Sequence, residues 1–220
     1  MSSKIDAVLP FASGSYDGSF ERETHSVSRS GFGDLRLRFS FNFTGSKAMT
    51  VEEFKEYSPK WVSGISLQAI LPTGYYDSDY LINPGSNRWA LKPQLGLART
   101  FDKWSLEGYI GFWFFGTNND FLNGKELKQE PLYTFKVHGI RTLKNDQCMS
   151  LSAGYAVGGI TEVDGVQRET QISTMRIAFM YAFSLSIRHS IKLAALTSVR
   201  FERGSDFNGL SMAYQYRWKK

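Results

Sequence analysis

The stretch RWALKPQLGLARTFDKWSLEGYIGFWFF, Arg88 to Phe115, decides the fold. Every second residue of its first arm is apolar: Trp89, Leu91, Pro93, Leu95, Leu97. Between them stand Ala90, Lys92, Gln94, Gly96 and Ala98. The second arm sets Trp104, Leu106, Gly108, Ile110, Phe112 and Phe114 against Ser105, Glu107, Tyr109, Gly111 and Trp113. Alternation with period two marks a strand with unlike faces. Both arms are about twice as long as the usual strand of about five or six residues. A bilayer demands tilted strands of about 9–11 residues. Trp89 and Trp104 stand at strand ends, where an aromatic girdle belongs. With only a very short turn between the arms, the stretch reads as one hairpin of a transmembrane β-barrel.

The same unit recurs along the chain. Lys4–Pro10 is a short strand, and the polar, Gly/Ser-rich piece from Phe11 to Gly33 reads as a long loop. Leu35, Leu37, Phe39, Phe41 and Phe43 alternate with Arg36, Arg38, Ser40 and Asn42. Trp61–Leu71 alternates next. PTGYYDSDYLINPGSN and, after Phe115, GTNNDFLNGKELKQE read as long polar loops. Pro131–Thr142 is a strand whose register slips near Gly139, as at a bulge. Met149–Val157, Met175–Phe183, Ile191–Ser198 and Leu210–Trp218 complete the set, with GGITEVDGVQRET a loop. About ten strands result, joined as antiparallel neighbours.

Connection lengths supply an independent test. Counted back from the C-terminus they run long, short, long, short, as in outer-membrane barrels with short periplasmic turns and long outer loops. The segment Thr44–Lys60 is long where parity demands a short turn. Thr50 and Glu53 have capping-box spacing, which predicts a short periplasmic helix over Thr50–Tyr57. The last strand ends on the aromatic Trp218.

Composition agrees. Mean hydropathy is −0.30, yet alternating strands hide their apolar face from any average. Aromatics make up 15 %, which suits two interfacial belts. Cys148 is the single cysteine, so neither a disulfide framework nor a multi-Cys metal site is available. The basic residues are dispersed, which argues against nucleic acid. The opening MSSKIDA has no apolar h-region, so for an exported barrel either the signal peptide and N-terminal strands are missing or the start is misassigned.

Five strings, GFGDLRLRFSFN (Gly31–Asn42), LPTGYYDSDYLINPGSNRW (Leu71–Trp89), GTNNDFLNG (Gly116–Gly124), GGITEVDGV (Gly158–Val166) and YQYRW (Tyr214–Trp218), resemble the MetA-pathway of phenol degradation family. PTGYY followed by NPGSNRW is the most specific part. The resemblance covers most of the chain and implies a bacterial outer-membrane β-barrel, transporter-like, in some members linked to aromatic degradation. It also implies further strand material before KIDAVLP, about twelve strands in a full-length chain, and a C-terminal strand read by the barrel-assembly machinery.

The expectation is therefore an all-β, antiparallel, up-and-down transmembrane barrel over residues 1–220 as a single domain. It would be a monomer in outer-membrane lipid, passing a small hydrophobic or aromatic solute passively and using no cofactor, metal or catalytic residue. The rivals are a structural barrel without transport and a soluble ligand-binding β-barrel, which would put apolar residues inside. Candidate lumen residues are Arg36, Arg38, Gln68, Lys92, Gln94, Glu107, Lys136, His138, Arg176, Lys192 and Arg217. They form either a basic constriction that selects anions or orients a polar aromatic, or a network of paired charges plugging and stiffening the lumen. Tyr75, Tyr76, Tyr80 and Phe121 are candidates for capture of solute by the outer loops, or else for packing those loops over the mouth. The loop acids Asp77, Asp79, Asp120, Asp164 and Asp206 read as solvated. Of His25, His138 and His189, only His138 with a strand serine such as Ser150 could make a hydrolase, and a hydrogen-bonded liner is the plainer reading.

Overall fold

The computed structural model describes residues 2–20, 23–45, 61–145, 147–201 and 207–218; for 16–20 and 23–27 only the backbone is described. The helix expected over Thr50–Tyr57 lies outside these residues. Ten long strands form one antiparallel sheet: β1 (Ser2–Val8), β4 (Leu35–Thr44), β5 (Trp61–Leu71), β6 (Ala90–Phe101), β7 (Trp104–Phe115), β10 (Leu132–Thr142), β11 (Cys148–Gly158), β14 (Ile172–Ser184), β15 (His189–Arg200) and β16 (Asn208–Tyr216). They are paired in that order, each beside its neighbour in the sequence of long strands. β1 and β16 are the two edges and are not paired with one another among the described residues. An eleven-residue strand such as β5 is about 37 Å long at about 3.4 Å per residue. Tilted by about 45° it rises about 26 Å, the height of the apolar band of an outer-membrane barrel.

The wall is apolar outside and polar inside. Leu37, Phe39, Leu67, Leu95, Leu106, Val137, Leu151 and Phe179 stand exposed on one face. The buried residues are mostly polar, among them Lys92, Thr134, Ser150, Thr174, Ser190 and Ser198. Ala90 and Ala182 are the buried apolar side chains among the described residues. A water-soluble barrel would reverse this arrangement, because so large an apolar surface cannot face water. At the short-turn end Arg99 lies over the Trp61 ring at 5.0 Å and Arg141 over Trp104 at 5.3 Å. Such amphipathic stacks belong at headgroup level.

Three expectations need correcting. The stretch Phe11–Gly33 is mostly strand: β2 (Phe11–Phe20) and β3 (Glu23–Phe32) pair as a separate hairpin. The two polar loops after Phe115 and Gly158 carry β8 (Asn118–Phe121), β9 (Lys125–Gln129), β12 (Thr161–Val163) and β13 (Val166–Gln167), which join as one four-stranded sheet. These strands lie beyond the ends of the long ones, so their backbone needs a ladder but no apolar face. Their polarity makes them read as loops in the sequence. Third, β10 has no slip at Gly139: its ladders to β7 and β11 run in unbroken register. The pattern changes there because Ile140 turns into the lumen and Arg141 out onto Trp104. The register shift lies instead between Asn42 and Thr44, against β5.

One local departure shapes the interior. Pro93 sits in a central strand and has no N–H to give. The β6–β7 ladder passes from Leu91–Phe114 to Gln94–Gly111 without pairing Lys92 or Pro93. Gly111, paired with Gln94 on one side and Thr134 on the other, also accepts at its carbonyl from the buried Thr134 hydroxyl at 3.0 Å.

Candidate functional site: the lumen and its outer cap

The inward side chains enclose a cavity of about 530 Å³. Of the predicted lumen residues, Arg38, Gln68, Lys92, Gln94, Glu107, Lys136 and His138 line it. Arg36, Lys192 and Arg217 are exposed and lie outside this cavity, Arg36 near the long-loop end and the other two near the short-turn end. Arg176 follows Lys136 along one row, across the side-chain-free Gly154. Its guanidinium lies 5.4 Å from the Phe207 ring. Sequence reading passed over Asn42, Ser66 and Tyr109, which share the cavity, although their inward parity was visible.

The charges divide into held and unheld groups. Asp6, directly opposite Arg38 in the ladder, accepts from its guanidinium at 2.8 Å and 3.1 Å and pairs Lys4 at 2.6 Å. Glu107 accepts from the Tyr109 hydroxyl at 2.7 Å. Lys92 and Lys136 line the same cavity, and neither has a carboxylate within ion-pair distance among the described residues. Lys92 is only 5 % exposed. Its stem lies over Gly111, where a Cβ would come within 2.6 Å of Cε, and its Nζ is 5.3 Å from the Trp113 ring. Trp113 in turn stacks on Phe115, and Phe115 faces Arg88 at 4.9 Å. Two stacked rings between two cations thus run along β6 and β7 from the mouth into the outer half of the lumen.

Glu107, His138 and Ser152 stand in one row across three strands. His138 Nδ1 and Ser152 Oγ are 2.7 Å apart; the serine is Ser152, not Ser150. Nucleophilic catalysis would also need a group orienting the imidazole and preorganised donors for an oxyanion. The Glu107 carboxylate is engaged by Tyr109, and backbone N–H groups in this wall are committed to the ladders. His138 has the geometry of a hydrogen-bonded liner, edge-on to the Tyr109 ring.

A polar knot ties the outer loops together. Asp34, 7 % exposed, accepts from Gly74 N at 2.9 Å, Ser86 N at 2.8 Å and Ser86 Oγ at 2.6 Å. A Cβ on Gly74 would meet the backbones of Gly33, Asp34 and Gly85 at 2.7–2.8 Å, so only glycine fits there. Asn118, 1 % exposed, donates to Tyr76 Oη and Ser86 O and accepts from Asn87 Nδ2 and Asp120 N. Arg88 donates to Gln129 Oε1 at 2.5 Å, and Gln129 donates to Gly159 O at 3.0 Å, linking three loops. Burial draws the Arg88 guanidinium below its ordinary pKa, although an arginine stays charged.

The four loop aromatics have different surroundings. Tyr75 is exposed. Tyr76 belongs to the knot, donating to Asp120 O at 3.0 Å. Tyr80 carries the Arg29 guanidinium at 3.2 Å from its ring centroid, and Phe121 is half-buried at the end of β8. Asp77 accepts from the turn N–H of Asp79, and Asp164 accepts from the Glu126 N–H of β9, tying two outer loops together.

An apolar belt outside long strands, polar side chains within and a cap of long loops at one end define an outer-membrane β-barrel, a protein of the bacterial outer membrane. The chain is similar to an outer membrane channel from Pseudomonas putida F1, with a TM-score of 0.78 and 17 % identity over 97 % of this chain and 75 % of that one. No curated protein matches it. The model of the family described as "Putative MetA-pathway of phenol degradation" matches residues 5–214, and the chain belongs to that family.

Proposed function

We propose that the chain, as one barrel domain, is a passive channel that lets a small aromatic or hydrophobic compound across the outer membrane. The observation that carries this reading is the polar cavity of about 530 Å³ inside a wall whose outer face is apolar. A cavity of that size suits a single-ring solute. The family's link to phenol degradation and the channel with the same fold support the class of solute and the mode of passage. The protein works as a monomer, without cofactor or catalysis, and is inserted by the barrel-assembly machinery through its aromatic final strand. Solute meets the outer cap, where Tyr75 and Tyr80 are exposed, and descends along the row Arg88, Phe115, Trp113, Lys92. The test is conductance of the purified protein in planar bilayers, together with vesicle uptake of a phenol. Discrete current steps and uptake above that of empty vesicles are expected. A folded protein that passes neither ions nor solute is a structural barrel.

A further inference from the structure

We propose that the outer half of the lumen is a binding site for the anionic head of an aromatic acid. The carboxylate, or an ionised phenol, would lie between Lys92 and Lys136 with its ring beside Trp113. The inference rests on the channel reading and names the solute class of the same site.

Two like charges brought together in a half-dry wall repel, and such pairs persist where an opposite charge visits or resides. The carboxylate that lines the cavity, Glu107, accepts from Tyr109, and Asp6, opposite the lining Arg38, holds Lys4 and Arg38. Lys92 and Lys136 therefore have their ammonium groups turned to the cavity with no acid to neutralise them among the described residues. Local structure reserves this position. Gly111 opens the space for the Lys92 stem, and Pro93 relieves the ladder beside it. Gly154 leaves the space next to Lys136 free of a side chain. Cation–π contact with Trp113 steadies the Lys92 ammonium without cancelling its charge. An incoming ring finds Trp113 and Phe115 already stacked along the same row, and aromatic pairing adds to burial. A neutral ring would use only the second half of this site.

The test is equilibrium binding to the detergent-solubilised full chain, read as quenching of Trp113 fluorescence with Trp113→Phe as background. The probes are 4-nitrobenzoate and its neutral isostere 4-nitrobenzamide. Saturable quenching by the anion at least tenfold tighter than by the amide is expected. Lys92→Gln with Lys136→Gln should abolish that difference, whereas Lys192→Gln, which removes the same charge near the short-turn end, should retain it. Equal affinities, no binding of either probe, or an equal loss in Lys192→Gln would overturn the proposal. Heat-shifted mobility on gels checks that each variant is folded. Because binding is read without current, this proposal can fail while conductance stands, and conductance can fail while the site still binds.

Discussion

Lys92 and Asp34 show how single residues carry this molecule. Both are charged and nearly buried, and they are handled in opposite ways. Asp34 accepts three hydrogen bonds from residues 40 and 52 positions away, so it is a fastener. Asp34→Ala leaves those donors unpaired, at a cost of about 1–3 kcal/mol for each one that stays dry. The expected outcome is rapid protease cleavage within residues 72–89 while the barrel strands stay protected; equal protection of that loop would contradict the role. Gly111→Ala is predicted to expel the Lys92 stem, since the new Cβ falls 2.6 Å from Cε. Loss of the Lys92-dependent binding with the fold intact would show it. Asp34 could not be found by reading GFGDLRL alone. The quoted strings PTGYY and NPGSNRW hold its partners, but only the strand order brings them to it. Lys92, by contrast, was legible from parity as a lumen residue; that Asp6 would neutralise Arg38 and leave Lys92 unneutralised was not.

At the scale of elements, period two was enough to place the long strands: Trp61–Leu71 is β5 residue for residue. The strands missed were β2, β3, β8, β9, β12 and β13, none of which crosses the apolar band, so hydrophobic alternation had nothing to mark. The two faces of a crossing strand should answer mutation differently. Leu95 points outward and Gln94 inward on β6. Leu95→Arg should destabilise the barrel by about 2–4 kcal/mol near the bilayer midplane, while Gln94→Arg should be tolerated. Denaturant unfolding in vesicles measures both, and an equal cost would contradict the assigned faces. Beside the Pro93 interruption the buried Thr134 hydroxyl ties β10 to β7 at the Gly111 carbonyl. Thr134→Val should lower stability by about 1 kcal/mol, the net worth of one hydrogen bond.

For the whole molecule the decisive feature is inversion: the greasy residues are outside, and polar residues fill most of the buried positions. That inversion, the alternating connection lengths and the family match over residues 5–214 agree on one architecture. A sheet in lipid cannot leave its edges bare, so β1 and β16 must be covered once the protein is in the membrane. The measurement that tests this most directly is gel mobility of the membrane fraction in SDS with and without boiling. A covered barrel resists the detergent, and the unboiled protein is predicted to migrate faster than the boiled. Identical mobility, with the protein recovered in the soluble fraction, would contradict the barrel.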